Sequence, residues 1–151
     1  MERGLNNHKI EIVRNLILKT FRFLEDQYFY TPVYKKEDDN IFMESLEIEY
    51  INEIKQRKVA ISYTKGNLHK EIRYTFTLSI TRIPYKNPED FFSLDNYLKS
   101  KGRFFSTSIV NDFNETEIEN ILNRIAVSLK EQLLSIITGN EWLTSYYPRK
   151  D

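Results

Sequence analysis

The sequence predicts an α+β fold in which an antiparallel β-meander of three to five strands is backed, mainly on one face, by about three helices. Three observations predict it. Period-two alternation of apolar and polar residues is confined to the middle of the chain. Apolar residues at helical spacing fill stretches on either side. The strand segments are grouped, not interleaved with helices. Grouped strands join through short turns, so they run antiparallel and can leave one face wet.

The first helix is carried by Ile10, Val13, Ile17, Phe21, Leu24 and Tyr28, which form one helical stripe widened by Leu16 and Phe23. Asn6 or Asn7 is placed to cap its start by accepting a backbone N–H. An aromatic stretch follows, Tyr28 to Tyr34, in which Pro32 lacks a ladder donor. It therefore reads as an edge strand or extended loop. Lys35 to Asn40 reads as a charged turn.

The meander runs from about Ile41 to Ile83. Leu46, Ile48 and Tyr50 alternate with polar or outward positions, as do Val59, Ile61 and Tyr63, and then Ile72, Tyr74, Phe76, Leu78 and Ile80. A four-residue loop, Glu53 to Gln56, sets Ile48 opposite Ile61 and Tyr50 opposite Val59. Gly66-Asn67 suits a two-residue hairpin, which sets Ile61 opposite Ile72 and Val59 opposite Tyr74. Both turns give one consistent apolar face.

Asn87-Pro88-Glu89-Asp90 reads as a helix start, with a cap residue, Pro at the first helical position and acids in the first turn. That helix carries Phe91, Phe92, Leu94, Tyr97 and Leu98 and stops at Gly102. Arg103 to Val110 can form a short strand. Asn114-Glu115-Thr116-Glu117 opens a long helix with Ile118, Ile121, Leu122, Ile125, Leu129, Leu133 and Ile136, ending at Gly139.

At 151 residues, 40% of them hydrophobic, the chain suits one domain spanning 1–151. The absence of cysteine excludes disulfides and thiolate metal sites. The first residues lack the apolar core of a signal peptide, and no apolar run approaches the ~20 residues of a membrane span, so a cytoplasmic protein is expected. A formal net charge of zero, from 22 basic and 22 acidic residues, makes nucleic acid an unfavoured partner.

Catalytic signatures are missing. No glycine-rich phosphate loop, nucleophile elbow or His-Glu-x-x-His motif occurs, and the four glycines are accounted for by the N-terminus, a hairpin and helix ends. His8 and His69 read as solvated. Glu53-Ile54-Lys55, after Glu47 and Glu49, resembles the acid and Glu-x-Lys spacing of metal-dependent nucleases, but it falls on a hairpin tip facing water. Glu37-Asp38-Asp39 lacks the glycine and closing glutamate of a calcium loop. No catalytic residue, metal ligand or cofactor is assigned.

Two surfaces remain as candidates for partner binding. The wet sheet face is expected to set Glu49, Ala60 and Arg73 in one cross-strand row, with Glu47 and Thr75 in the rows beside it. These charges could steer a protein partner. The second surface is aromatic: Tyr30 and Tyr34 near the first helix, and Tyr146, Tyr147 and Arg149 in the tail after Trp142, types favoured at interface hot spots. Exposed aromatics can also stack bases, but the strand aromatics point to the core side and leave Thr, Ser and Glu outside.

In general character the chain resembles small bacterial immunity or antitoxin-type binding proteins, a resemblance of composition carried by no motif. Its Ile, Lys and Asn content is similar to that of low-GC bacterial proteins. The expectation is a non-enzymatic protein-binding module, an immunity, antitoxin or scaffolding protein, with self-association also allowed. The alternative is a small-ligand or metal-dependent enzyme assembled from residues such as Glu47, Glu49, His69, Glu71 and Arg73. Nucleic-acid binding is third.

Overall fold

The computed structural model describes residues 2–39, 43–68 and 70–143. His69, Tyr146, Tyr147 and Arg149, and the side chains of His8, Glu37, Asp38 and Asp39, lie outside what is described. The fold is α+β, an antiparallel six-stranded sheet with three substantial helices and two short ones. The elements are α1 (Glu2–Thr20), α2 (Arg22–Asp26), β1 (Thr31–Asp39), β2 (Met43–Asn52), β3 (Arg57–Leu68) and β4 (Glu71–Arg82). A 3-10 turn (Pro88–Asp90), β5 (Phe91–Ser93), α3 (Leu94–Ser100), β6 (Ser108–Val110), α4 (Glu115–Gln132) and α5 (Leu134–Ile137) follow.

The strand order is β1-β2-β3-β4-β5, and β6 shares the outer edge of β4 with β5. The strand count exceeds the sequence expectation by β5, whose three residues lie where a helix is expected and leave little room for a periodic signal, while β6 falls inside the short strand expected over Arg103–Val110. Between β2 and β3 the four-residue loop is as expected: Ile48 faces Ile61 and Tyr50 faces Val59. Asn52 shapes that turn by accepting the Lys55 N–H at 3.0 Å.

The β3–β4 register corrects the sequence reading. Gly66-Asn67 is not the turn: both residues lie within β3, and Ile61 faces Leu78 while Val59 faces Ile80. The partners are displaced by six positions. Because side chains alternate with period two, an even displacement keeps every residue on its face. The apolar face was therefore right although the pairing was not.

Other boundaries shift as well. α1 begins at Glu2, so Asn6 and Asn7 lie inside it instead of capping it. It breaks at Phe21, and β1 extends through Lys35 to Asp39 of the stretch read as a charged turn, whose Asn40 lies outside the described residues, with an irregularity between Tyr34 and Lys36. Asn87-Pro88 opens only one 3-10 turn; the helix proper starts at Leu94, capped by Ser93, whose Oγ accepts the Asn96 N–H at 3.2 Å. Asn114 caps α4 as expected, accepting the Glu117 N–H at 3.0 Å. α4 ends at Gln132, and α5 continues the path.

α1 and α4 pack on each other and reach the same side of the sheet through β2, β4 and β6, while α3 closes against β4 and β5. Between layers lie Tyr50, Tyr63, Phe21 and Phe76, all fully buried, with Val13, Ile17, Ile48, Ile61, Ile118 and Leu122. Each fully buried large apolar side chain contributes roughly 1.5–3 kcal/mol against leaving it in water. No described helix is long and apolar enough to cross a membrane.

Candidate functional site

With the helices on one side, the opposite face of the sheet is left to its own side chains. Its outward positions are Ser45, Glu47, Glu49 and Ile51 on β2, Lys58, Ala60, Ser62 and Thr64 on β3, and Arg73, Thr75, Thr77, Ser79 and Thr81 on β4. Four successive outward positions of β4 carry hydroxyls, a choice consistent with β-branched and small polar residues on a half-solvated pleat. The cross-strand rows are Glu47–Ser62–Thr77, Val33–Glu49–Ala60–Ser79–Ser93 and Ile51–Lys58–Thr81–Phe91.

The face is tied together locally. Lys58 Nζ reaches diagonally to Glu49 Oε2 at 2.9 Å, next to the small Ala60, and both Glu49 and Ala60 are buried. Ser62 Oγ donates to Glu47 Oε1 at 3.1 Å, and the Thr75 and Ser108 hydroxyls are 3.1 Å apart. A shallow cleft of about 230 Å³ opens beside Ser45, Glu47, Ser62 and Thr64. Thr64 and Thr77 are exposed, and apolar Val33, Phe91 and Val110 stand exposed towards the margins.

The structure places Glu47 and Glu49 on this face as expected but separates them from Arg73. That residue faces Gly66 and Val110 and pairs with Glu71 at 3.0 Å. The six-position register difference moves it about 20 Å along the strand from the row of Glu49. Thr75 lies between Thr64 and Ser108. Tyr34 is exposed at the edge strand, with the Arg14 guanidinium 5.3 Å from its ring centre. Tyr30 is buried, its hydroxyl donating to the Ile137 carbonyl at 2.6 Å, and burial pushes that phenol far above its ordinary range.

Trp142 fixes the end of the described chain. Its ring is 4.9 Å from the Arg57 guanidinium, 5.1 Å from that of Arg82 and 5.5 Å from Phe92, while its N–H donates to the Glu89 carbonyl at 2.8 Å. Arg57 is buried and donates to the carbonyls of Ile136, Lys55, Gln56 and Glu141. Arg82 pairs with Asp90, which also accepts the backbone N–H groups of Lys86 and Asn87. Those backbone donors, then Arg82, push the Asp90 carboxyl down to about 2. This cluster is architectural: its polar atoms are spent on one another.

Two features escaped sequence reasoning. Glu44, 2% exposed on the core side of β2, accepts the Tyr63 hydroxyl at 2.7 Å while its second oxygen has no hydrogen-bond partner among the described residues. Only three-dimensional register reveals that burial. The second is a groove of about 480 Å³ along α4, lined by Phe105, Asn120, Asn123, Arg124, Val127 and Ser128. Its sequence signal was Lys99-Ser100-Lys101-Gly102-Arg103-Phe104-Phe105, three cations and two aromatics in seven residues.

Among the described residues no three His, Asp or Glu side chains are grouped to hold a metal ion. Glu53, Ile54 and Lys55 stand exposed on the hairpin tip, apart from Glu47 and Glu49. Comparison with protein families, with curated proteins and with solved structures found no match.

Proposed function

We propose that this chain is a non-enzymatic protein-binding module that docks another protein on the open face of its sheet. We place it in the cytoplasm, as a bacterial immunity or antitoxin-type protein or a scaffold for a complex. The observation that carries the reading is the open face itself: three long central strands present hydroxyls and paired charges outward, while the described helices pack on the other side. Exposed Val33, Phe91 and Val110 add apolar contact towards its margins. A reversible protein interface is about as apolar as the rest of a protein surface, so a polar face with apolar points at its margins is compatible with one. Glu47 and Thr75 lie on that surface, and Arg73 at its far end.

The test is proximity in the source cells. A photo-crosslinking benzoylphenylalanine at Thr77, exposed on this face, is expected to yield one dominant crosslinked partner, and the same group at Asn15, exposed on α1, none. Equal crosslinking from both positions, or none from Thr77, counts against the reading.

A further inference from the structure

We propose a second binding site, on the helical side of the molecule: the groove between α4 and the 99–105 segment takes an acidic peptide segment with an apolar anchor. The open sheet face plays no part in it.

The groove has an apolar floor and one lining cation, and the 99–105 segment that reaches it at Phe105 carries Lys99, Lys101 and Arg103, which with Arg124 make up the basic rim we assign to it. Phe105 and Val127 supply the floor, Asn120, Asn123 and Ser128 the neutral hydrogen-bonding wall, and Arg124 its one charged residue. At about 480 Å³ it has room for a large side chain such as Leu or Phe. Phe104, next in sequence to the lining Phe105, is 76% exposed, with the Lys99 ammonium 5.9 Å from its ring centre. Lys101 lies 5.7 Å from the Tyr97 ring centre, and the Arg103 N–H is held by the Leu98 carbonyl at 2.8 Å. The 99–105 segment thus leaves α3 along a defined path towards the groove.

The 99–105 segment carries three cations and no acid in a chain whose net charge is zero. Lys99, Lys101, Arg103 and Arg124 take part in no ion pair among the described residues. Glu119, five residues before Arg124, is held by Lys19 at 3.2 Å, and the acid nearest Lys99 in sequence is Asp95, one turn before it, whose carboxyl burial pushes up and Lys99 pulls down. That partly offsets Lys99 and leaves the other three cations. Carboxylates from a partner would complement this rim.

The extent of the rim decides between peptide and nucleic acid. Arg124 is flanked on α4 by Glu117 and Glu131, each seven residues away and so about two turns, or about 10 Å, along the same side. A polyanionic strand continuing past the groove would meet those carboxylates. A short acidic segment would not.

The experiment is fluorescence anisotropy with the full chain and a short fluorescein-labelled peptide, Leu-Phe at its centre and Glu and Asp on both sides. Controls are the same peptide with Lys in place of every acid, and an oligothymidylate. The acidic peptide is expected to bind, to weaken as salt rises, and to lose about tenfold in affinity in R103E and again in R124E. F104A should weaken it too, while T77R should leave it unchanged, which separates this site from the sheet face. Circular dichroism checks that each variant is folded. The proposal is overturned by absent binding, by equal binding of the lysine peptide, by tighter binding of the oligothymidylate, or by binding indifferent to both charge reversals.

Discussion

Lys58 Nζ lies 2.9 Å from Glu49 Oε2, a diagonal ion pair on the open sheet face next to Ala60. Glu49 is buried by its neighbours although the face is wet, so the pair acts partly as a structural tie. Glu49→Gln should cost about 1–2 kcal/mol in urea denaturation, since Lys58 loses a charged acceptor but keeps some access to water. Glu49→Lys should cost more than Glu49→Gln, because it buries a like charge. Equal stability of the two variants would show that the pair is solvated.

Trp142 is the only tryptophan, so its fluorescence reports directly on the cluster it forms with Arg57, Arg82 and Phe92. Trp142→Ala should destabilise the fold by about 2 kcal/mol, from lost packing and two cation–π contacts at a half-buried site. Circular dichroism in urea reads the loss. A shift within a few tenths of a kcal/mol would mean that the chain end is not held there.

Asp90 predicts an acid-side effect. Its folded carboxyl is pushed down to about 2 from an ordinary 3.8, by backbone donors and Arg82. A depressed folded value adds stability that is fully present above the unfolded value and is lost as pH falls from about 4 towards 2. Asp90→Asn should therefore lower Tm at pH 7, and its deficit against the wild type should shrink through that window. A deficit constant from pH 7 to pH 2 would contradict this.

Gly66 tests the β3–β4 register. In a two-residue hairpin it would sit in the left-handed region, where a β-branched residue is strained. Inside β3, opposite Met43 and Arg73, an added Cβ meets no atom within 4 Å. Gly66→Thr should be neutral or stabilising by up to about 1 kcal/mol. A loss of comparable size would favour the hairpin at this position.

The sheet was legible in the sequence because alternation fixes which side chains share a face, and Glu53 to Gln56 fixed the β2–β3 pairing. β3–β4 pairing was misread because Gly66-Asn67 is a strong local turn signal, and the longer strands' gain in pairing overrode it. Asn87-Pro88 misled similarly, since a valid helix start was closed after one turn by the pairing of Phe91 to Ser93 with β4. Of the candidate site, Glu47, Glu49 and Thr75 were assigned to the correct face from parity alone. The placement of Arg73 failed because distance along a strand needs the register itself. The α4 groove joins segments about twenty residues apart, and only packing brings Phe105 against Arg124.

The central claim, docking on the open face, is tested most directly by measuring the affinity of the isolated crosslinked partner for the wild type and for Thr77→Arg. Thr77 is exposed on that face, midway along β4 at the end of the row Glu47–Ser62–Thr77, and makes no part of the core. The account predicts that Thr77→Arg folds as the wild type does and binds at least about tenfold more weakly, a loss of about 1.4 kcal/mol. Undiminished affinity in a folded Thr77→Arg variant would contradict it.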